Sequence, residues 1–568
     1  MVKSFFILAL LLSLTLLGLL FYYSYDEFTT ALLGIYGKLD KIEEFRLSYF
    51  TTSTFIFVRF LLCIMSILLL LIFTKLDVVS GFISLKISSI LNSVNYFCKY
   101  LGESYDKLAV YEKIIFHLLI LFIGLVKFYF LPRFPFHVDE VASYLSFVRK
   151  GFFVAISYYP SPNNHIFYSV ISCLLQPFFS NPYYLMKVPS CIISIITSCI
   201  LLLFLLKNFN FSISVFGTLL FSFATNYFVY SVSGRGYALM TSLTIVSTFL
   251  TSAIISGRSE KFLWHIYAVS AILGFYTLSV FLYPFVSLSV AIFIYIAKEK
   301  SYSLLRLFVY YNFLIICGVL FLYTPVFLIS GLSSITSNSW MIKLGWGNYF
   351  SLLPKFVTGA FEFILGIEDF ATLIGLVIIL SALVVLIVTK RKEWFLLLFI
   401  FFLIPILLLT LQRLQPYNRV WCYLIFPISL CLVFIFDYLF SLVAKINYAK
   451  TLLVVISSSI LIGYTLIHFY EMTDYGYFMY DNVGRITSYI VLEKDVKVYT
   501  NDDSYNLFLR YQSSQIGKDV VPEMAAVPAT GNFNYVLLTR GAPFPLPIDK
   551  KNYILKEKDG FIEVYKHK

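Results

Sequence analysis

Apolar runs long enough to cross a lipid bilayer recur along this chain, and they restrict it to very few folds. A transmembrane helix needs about 20 predominantly apolar residues, and about 13 runs approach that length. They lie at roughly 5–24, 52–74, 114–131, 183–206, 211–230, 236–256, 262–279, 281–297, 305–330, 371–389, 394–411, 419–440 and 451–470. The composition agrees, because 60% of the residues are hydrophobic, 13% are charged and the mean hydropathy is +0.84. We therefore expect an α-helical polytopic membrane protein with about 13 transmembrane helices.

The positions of Lys and Arg in the short loops predict the orientation of the chain. Cytoplasmic loops accumulate these residues. Here they fall on every second loop: Lys207; Arg258 and Lys261; Lys298, Lys300 and Arg306; Lys390, Arg391 and Lys392; Lys445 and Lys450. These loops and the N-terminus are expected to be cytoplasmic, and the C-terminal segment periplasmic or extracellular, as in a bacterial inner-membrane protein. The first run is interpreted as a retained helix, because no small-residue cleavage site follows it.

The net charge of +12 is distributed over these loops and the tail. It indicates topology and contact with anionic membrane lipids, and not nucleic-acid binding, because no basic stripe with interleaved aromatic residues is present. The eight cysteines all lie in or beside apolar segments. Neither a disulfide framework nor a CxxC metal site is therefore predicted.

Three regions can be distinguished along the chain. Residues 1–113 form an N-terminal module with two transmembrane helices and a cytoplasmic amphipathic stretch, Lys75 to Lys113. Residues 114–470 form the main membrane body, which includes a long outer loop at 132–182. Residues 471–568 have the composition of a soluble domain.

Local patterns predict the structure of that C-terminal region. Alternating residues at 497–500 and 535–539 predict strands, and 504–511 looks helical. Residues 553–565 read as a hairpin that turns at Asp559-Gly560. We expect a small extracytoplasmic α/β domain.

Two short amphipathic segments are predicted in the outer loop. Apolar residues recur at helical spacing over 138–150, with Asp139 and Glu140 at the N-terminal end. The apolar segment Asn164 to Phe179 is shorter than a comfortable span and is interpreted as a second interfacial helix. Adjacent carboxylates at a membrane boundary are costly to hold there, and such groups mark functional sites.

On this topology several polar groups share one face of the membrane. They are Asp139 and Glu140, the run Asn163-Asn164-His165, the run Arg235-Gly236-Tyr237, and Arg419. An Asp can accept the proton of a hydroxyl nucleophile, and Arg can bind a phosphate bidentately. Arg235 and Arg419 also run against the preference of cations for the cytoplasmic side. The pattern favours group transfer from a lipid phosphate.

The same ordered motifs resemble the membrane glycosyltransferases that use polyprenyl-phosphate sugars, the GT-C fold class. Within it, the resemblance is to the protein O-mannosyltransferases, glycosyltransferase family 39, and the lipid A aminoarabinose transferases. The matching motifs are Asp139-Glu140, Asn163-Asn164-His165, Lys187-Val188-Pro189-Ser190, Arg235-Gly236-Tyr237, and Arg419-Val420-Trp421 with Pro427. Two departures stand out: Lys187 replaces the usual Arg, and two extra spans precede the motif-bearing core.

The resemblance implies a function and a role for each motif residue. Asp139 would be the general base, and transfer would proceed with inversion, while Glu140 would orient the acceptor or Asp139. Arg235, Arg419 and His165 would hold the donor phosphate. Asn163, Asn164, Tyr237 and Lys187 would contribute to substrate binding. The partners implied are a polyprenyl-phosphate-linked sugar and a lipid, glycan or protein acceptor; no cofactor is implied, and scattered ligands do not support a metal site.

Each assignment has an alternative. Asp-Glu at a helix start is also a common N-terminal cap, His165 could simply anchor an interfacial helix, and Arg side chains also reach to lipid head groups. The whole chain could instead be a transporter or flippase of lipid-linked sugars, or a non-catalytic scaffold. Transporters place their polar residues near mid-membrane, often in inverted repeats, whereas this chain concentrates them at one face.

Overall fold

The structure, a computed structural model, describes most of the chain. It covers residues 2–35, 39, 42–160, 162–336, 343–442, 455–460, 462–468, 478–518, 523–524, 533–545, 548–558 and 561–568. The fold is mostly helical, with a small mixed sheet near the C-terminus.

The N-terminal module consists of a helical hairpin and one long helix. Its helices are α1 (Val2–Tyr22), α2 (Tyr25–Ile35), α3 (Ile42–Glu44), α4 (Thr52–Thr74) and α5 (Leu76–Asp106). Helices α1 and α4 pack together, and Ser66 Oγ donates to Ser13 Oγ at 3.2 Å. Helix α5 corresponds to the predicted amphipathic stretch. It packs on the membrane body, where Ser93 Oγ lies 2.7 Å from His265 Nδ1.

In its described part up to Leu442, the membrane body contains sixteen α-helices. They are α6 (Val110–Phe130), α7 (Val138–Ser143), α8 (Phe152–Ser157), α9 (Ile166–Leu175), α10 (Pro182–Leu205), α11 (Phe211–Ser222), α12 (Thr225–Ser231), α13 (Tyr237–Ile255), α14 (Lys261–Thr277), α15 (Leu282–Glu299), α16 (Tyr302–Ile329), α17 (Ser333–Thr336), α18 (Trp346–Leu365), α19 (Ala371–Val388), α20 (Lys392–Gln412) and α21 (Ile425–Leu442). Polar side chains cap several of them: Asn181 and Asn210 accept first-turn N–H groups of α10 and α11.

Nine helices in the described part are long and apolar enough to cross a membrane, or up to eleven if each bent pair is one span. The bent pairs are α1 with α2 and α11 with α12, at 118° and 70°. The predicted segment 262–279 corresponds to α14, which has 17 residues. The last, 451–470, lies partly outside the described residues, although 455–460 and 462–468 are helical. The predicted fold class, a multi-pass helical membrane protein, is confirmed.

Loop 132–182 contains short helices where amphipathic segments are predicted. Helix α7 continues into a π-helical turn, Tyr144–Val148. Together the two occupy most of the predicted helix at 138–150. Helix α9 continues into a 3-10 turn, Gln176–Phe178. Phe153 and Phe178 of this loop are 73% and 78% exposed in the isolated chain, as expected of residues that contact lipid.

The C-terminal domain has two helices and five strands in its described part. They are α22 (Phe478–Ile490), β1 (Val498–Thr500), α23 (Asp503–Gln515), β2 (Glu523–Met524), β3 (Tyr535–Thr539), β4 (Tyr553–Lys558) and β5 (Ile562–His567). The strand order is β2-β1-β3-β5-β4. Strand β1 is parallel to β2 and β3, and β5 is antiparallel to β3 and β4. Asp559-Gly560 lies outside the described residues.

Candidate active site

Helix α7 begins with a cap that determines where Asp139 and Glu140 lie. His137 is the N-cap residue, and its Nδ1 accepts the backbone N–H of Asp139 at 3.1 Å. Glu140 Oε2 accepts the backbone N–H of His137 at 2.8 Å, which completes a capping box. Because successive residues of a helix point about 100° apart, the two adjacent carboxylates enter different surroundings.

Glu140 points into the protein and is completely buried. Its Oε1 accepts the backbone N–H of Gly234, and its Oε2 lies 3.9 Å from Lys187 Nζ. A Cβ at position 234 would lie 2.8 Å from Met186 and 2.9 Å from Glu140 Oε1, so only glycine fits there. Burial raises the pKa of Glu140 above its usual value, although Lys187 and the two backbone N–H groups act in the opposite direction.

Lys187 is as deeply buried as Glu140. Its Nζ donates to the carbonyl oxygens of Phe134 and Pro135, the latter at 2.9 Å, and to the hydroxyl of Tyr183 at 3.3 Å. The ammonium therefore holds the segment that precedes α7, on the side of the helix that carries Glu140.

Asp139 faces the polar side chains of Arg235, Arg419 and His165, and we call the space they border the cleft. The cleft is partly open, since 24% of the Asp139 side chain is exposed. Its Oδ2 lies 2.9 Å from Arg419 Nη1 and 4.0 Å from both Arg235 Nη2 and His137 Nδ1. Burial raises the pKa of Asp139, but the guanidinium groups of Arg235 and Arg419 outweigh it and lower the pKa below its usual value. Asp139 is therefore ionised and can accept a proton.

Burial also affects His137, whose pKa falls to about 4. The carboxylate of Asp139 opposes this shift, and the nearby cations Arg235, Arg419 and Lys187 reinforce it. His137 is neutral at physiological pH, so it acts as a cap and adds no positive charge to the cleft.

Arg235 lies in the turn between α12 and α13 and is held by α7 and its neighbouring loop. Its Nη1 donates to Ser143 Oγ at 2.6 Å, to the carbonyl oxygen of Asp139 at 3.1 Å and to that of Asn163 at 3.3 Å. Within the described residues its buried Nε has no hydrogen-bond partner. A buried donor without an acceptor is costly, so this Nε is a donor that a bound anion could use.

His165 lies beside Arg235, and the N–H group of its imidazole ring is directed at the guanidinium group of Arg235. Its Nδ1 accepts the backbone N–H of Gly236 at 2.8 Å, so the neutral ring must carry its proton on Nε2. That Nε2 lies 3.2 Å from Arg235 Nη2, which is also a donor. Burial, together with Arg235 and Arg419, lowers the pKa of His165 well below its usual value, so the ring is neutral. Two neighbouring donors suit an anion that approaches both from the side and accepts from each.

The remaining predicted residues have different surroundings. Tyr237 is buried, with its ring 5.0 Å from that of His165 in an edge-on contact. Asn163 contributes its backbone carbonyl to Arg235. The amide of Asn164 is engaged within the loop: its Nδ2 donates to the carbonyls of Ala155 and Tyr158, and its Oδ1 accepts from Ser169. The structure thus brings all the predicted residues into one region, but Asn164 and Lys187 have their polar groups directed away from the cleft.

Sequence reasoning did not predict the contacts that four residues make here: His137, Ser143, Gly234 and Gly236. The spacing of His137 and Glu140, three residues apart, matches a capping box with an unusual cap residue. Ser143 stands one helical turn after Asp139, on the same side of the helix. The two glycines flank Arg235 and contribute only their N–H groups, which composition does not reveal. In the described part of the chain no group of three or more His, Cys, Asp or Glu residues is arranged to hold a metal ion.

The fold and the site define a class of protein: a polytopic helical membrane protein with a polar site beside a small mixed-sheet domain. No protein-family model matches the sequence, and no curated protein matches it. The fold is similar to two crystal structures of ArnT from Cupriavidus metallidurans. The apo structure gives a TM-score of 0.50 at 11% identity and covers 80% of this chain and 97% of that chain. The structure bound to undecaprenyl phosphate gives a TM-score of 0.51 at 12% identity and covers 81% of this chain and 98% of that chain. The predicted GT-C resemblance is confirmed at the level of the fold.

Proposed function

We propose that this protein is an integral membrane glycosyltransferase that moves a sugar from a polyprenyl-phosphate carrier to a hydroxyl of a lipid, glycan or protein acceptor, with inversion. The observation that carries the proposal is a group of hydrogen-bond donors gathered beside an ionised carboxylate. Arg235 Nη2 and His165 Nε2 face each other, Arg235 Nε has no partner in the described residues, and Arg419 contacts Asp139. The shared fold supports a lipid-phosphate donor, because an ArnT structure holds undecaprenyl phosphate.

Charge supports a donor with a single phosphate. Arg235 and Arg419 together with ionised Asp139 carry one net positive charge, and both histidines are neutral. A sugar phosphodiester carries one negative charge, which makes the filled cleft neutral. Net charge in a poorly hydrated site is costly. A diphosphate-linked sugar would bring an additional negative charge that these residues do not balance.

The charges in the cleft also balance after the reaction. Asp139 accepts the proton of the acceptor hydroxyl, and the acceptor oxygen forms a bond to the anomeric carbon on the side opposite the phosphate. The bond between that carbon and the phosphate oxygen breaks, and its electron pair stays on the phosphate. A phosphate monoester carries about −1.5 to −2 at neutral pH. Protonated Asp139 is neutral, so the two guanidinium groups then balance the leaving phosphate.

The remaining residues have supporting roles in this proposal. Glu140, held by Gly234 and Lys187, positions α7 and therefore Asp139, as expected for a neighbour that orients the base. Tyr237 and Asn163 line the phosphate end of the cleft. Asn164 and Lys187 act from within the protein, by shaping the loop and by holding the segment before α7. The cation-poor face that carries the site is assigned to the outside of a bacterial inner membrane.

Binding of undecaprenyl phosphate to the purified protein in nanodiscs tests the phosphate site. We expect Arg419→Ala to weaken binding by about 10- to 100-fold, because a hydrogen bond to a charged group contributes about 1.5–3 kcal/mol. The matched control is Arg413→Ala, since Arg413 is an arginine of the adjacent segment whose guanidinium lies over the Trp346 ring at 5.0 Å. Undecaprenyl diphosphate should bind less tightly than the monophosphate to the wild type.

Sugar transfer itself is then measured with polyprenyl-phosphate sugars extracted from membranes, by following release of polyprenyl phosphate with and without an acceptor fraction. Equal undecaprenyl phosphate binding by the wild type, Arg419→Ala and Arg413→Ala would rule out the phosphate site. Movement of the intact donor between leaflets without release of polyprenyl phosphate would favour a flippase.

A further inference from the structure

The C-terminal domain is packed directly against the helix that carries Asp139. On one side, α7 directs Asp139 and Glu140 toward the membrane body. On the other side, its apolar residues belong to one hydrophobic core with the C-terminal domain. The residues shared in this core include Val141, Tyr144 and Val148 from the loop, and Val483, Phe508 and Tyr511 from the domain.

Tyr511, on α23, contacts both ends of the segment that holds Asp139. Its side chain is buried, with 8% exposed. Its ring centroid lies 5.3 Å from that of Phe136 and 6.0 Å from that of Tyr144. Phe136 immediately precedes the cap residue His137, and Tyr144 immediately follows α7. One side chain of the C-terminal domain therefore holds the residues on either side of the proposed base.

A helix as short as α7, with six residues, has little stability of its own. Its position depends on what it packs against. From the membrane side the buried contacts of Glu140 with Gly234 and Lys187 hold it, and from the other side Tyr511 holds it. A displacement of about 1 Å can lower a reaction rate by about 100-fold, so a change in this packing is expected to alter the chemical step.

We propose that Tyr511 is a positioning residue: the C-terminal domain, through Tyr511, sets the alignment of Asp139 with the acceptor hydroxyl. This inference rests on the proposed function, in which Asp139 is the base. It separates the site into two parts. The phosphate-binding groups Arg235, His165 and Arg419 belong to other segments, whereas the carboxylate lies on a helix that the C-terminal domain supports. Arg235 connects the two parts, because its Nη1 donates to Ser143 Oγ and to the carbonyl oxygen of Asp139.

The test replaces Tyr511 by Ala and by Phe in the full-length protein. We expect Tyr511→Ala to lower kcat by about 10- to 100-fold. The Kd for undecaprenyl phosphate should change much less, because Arg235 and His165 also have contacts outside α7 and Arg419 belongs to another segment. Tyr511→Phe keeps the ring contacts with Phe136 and Tyr144 and should retain nearly full kcat. A general loss of folding would lower binding and kcat together.

Tyr499→Ala is the matched control. Tyr499 is a tyrosine of the same domain with similar burial, 5% exposed, but it lies in a different hydrophobic cluster and packs on Phe533 at 5.7 Å. We expect it to leave kcat within about threefold of the wild type. An equal fall in kcat for Tyr499→Ala and Tyr511→Ala would overturn the proposal, as would an unchanged kcat in Tyr511→Ala.

Amide hydrogen exchange over residues 137–148 provides a readout that does not require activity. Exchange should accelerate in Tyr511→Ala and remain unchanged in Tyr499→Ala and Tyr511→Phe. If the wild type transfers no sugar, the proposed function fails, and this readout still decides whether Tyr511 holds α7. Unchanged exchange in Tyr511→Ala would contradict that role.

Discussion

Asp139 and Glu140 are neighbours in the sequence, yet they belong to two contrasting halves of the site. The closed half consists of Glu140, Lys187 and Gly234, and both charged side chains in it are fully buried. In the open half, Asp139 and Arg419 keep 24% and 33% of their side chains exposed. Burial and the cations produce opposite pKa shifts in the two carboxyl groups, raised for Glu140 and lowered for Asp139.

The difference shows how one helical turn can serve structure and chemistry at once. In the closed half every oxygen of Glu140 already accepts a backbone N–H, so this half has little left to offer a substrate. In the open half the Nη2 of Arg235 and the Nε2 of His165 lie 3.2 Å apart, and both can donate to a bound anion. A substrate anion gains most where donors are unpaired and where water has limited access.

The largest expected effect is loss of activity in the open half. Asp139→Asn keeps the size of the side chain and removes the proposed base, so transfer should fall by about 10²- to 10⁴-fold. Thermal unfolding of the variant should remain close to that of the wild type. The measurement is initial rate with saturating donor, and retention of full activity would show that Asp139 is not the base.

Next in size is loss of stability in the closed half. Glu140→Gln replaces one oxygen by an NH₂ group that must face the N–H of His137 or Gly234, and it leaves Lys187 without its counter-charge. Breaking a buried ion pair costs about 3–5 kcal/mol. The yield of folded protein and its melting temperature in detergent should fall together. A folded, stable, inactive variant would assign Glu140 to the chemistry, and the contrast between the two halves would be wrong.

Lys187→Met should cost less, about 1–3 kcal/mol, because the carboxyl group left behind can take a proton. Burial already raises the pKa of Glu140 above that of an unfolded chain. A group whose folded pKa is raised stabilises the fold below its unfolded pKa, and this contribution is lost as pH rises through the folded pKa. The melting temperature of Lys187→Met should therefore rise on acidification relative to the wild type. The Glu140→Gln/Lys187→Met double variant should be less unstable than the two single effects added together.

The smallest expected effect is a shift in the pH dependence of the open half. Arg235 and Arg419 lower the pKa of Asp139, so the Asp139 carboxylate stays ionised to lower pH than an ordinary Asp would. Arg419→Ala removes one of these charges. The acid limb of its kcat/KM profile should move to higher pH, whereas Arg413→Ala should leave the limb in place. If the acid limb of Arg419→Ala does not move, that limb does not report the ionisation of Asp139.

Much of this architecture was predictable from local sequence signals. Hydropathy located most of the membrane-crossing helices, since a helix in lipid must be apolar over its whole length, although about 13 were predicted and the described residues contain nine to eleven. The alternation of cations placed Asp139, Arg235 and Arg419 on one face, and the structure places them within 4.0 Å of one another through Asp139 Oδ2. Strands β1 and β3 and helix α23 were visible in the alternation of the C-terminal residues.

Other parts of the site could not be predicted, because they depend on contacts between distant parts of the chain. Glu140 binds a backbone N–H that lies 94 residues away, and a backbone N–H leaves no mark in the sequence. Asn164 lies beside His165 in a motif that indicates substrate binding, yet its amide binds the carbonyls of its own loop. Tyr511 belongs to a domain whose sequence shows no connection with the membrane cleft.

By itself the sequence determined that this is a multi-span helical membrane protein with carboxylates and arginines at one face, because apolarity, charge and helical period are properties of short segments. Only the tertiary structure decided which carboxylate is buried and which is partly exposed. That choice depends on the rotation of a six-residue helix between the membrane body and the C-terminal domain. Burial and neighbouring charge, which set the two pKa values apart, exist only once those surfaces meet.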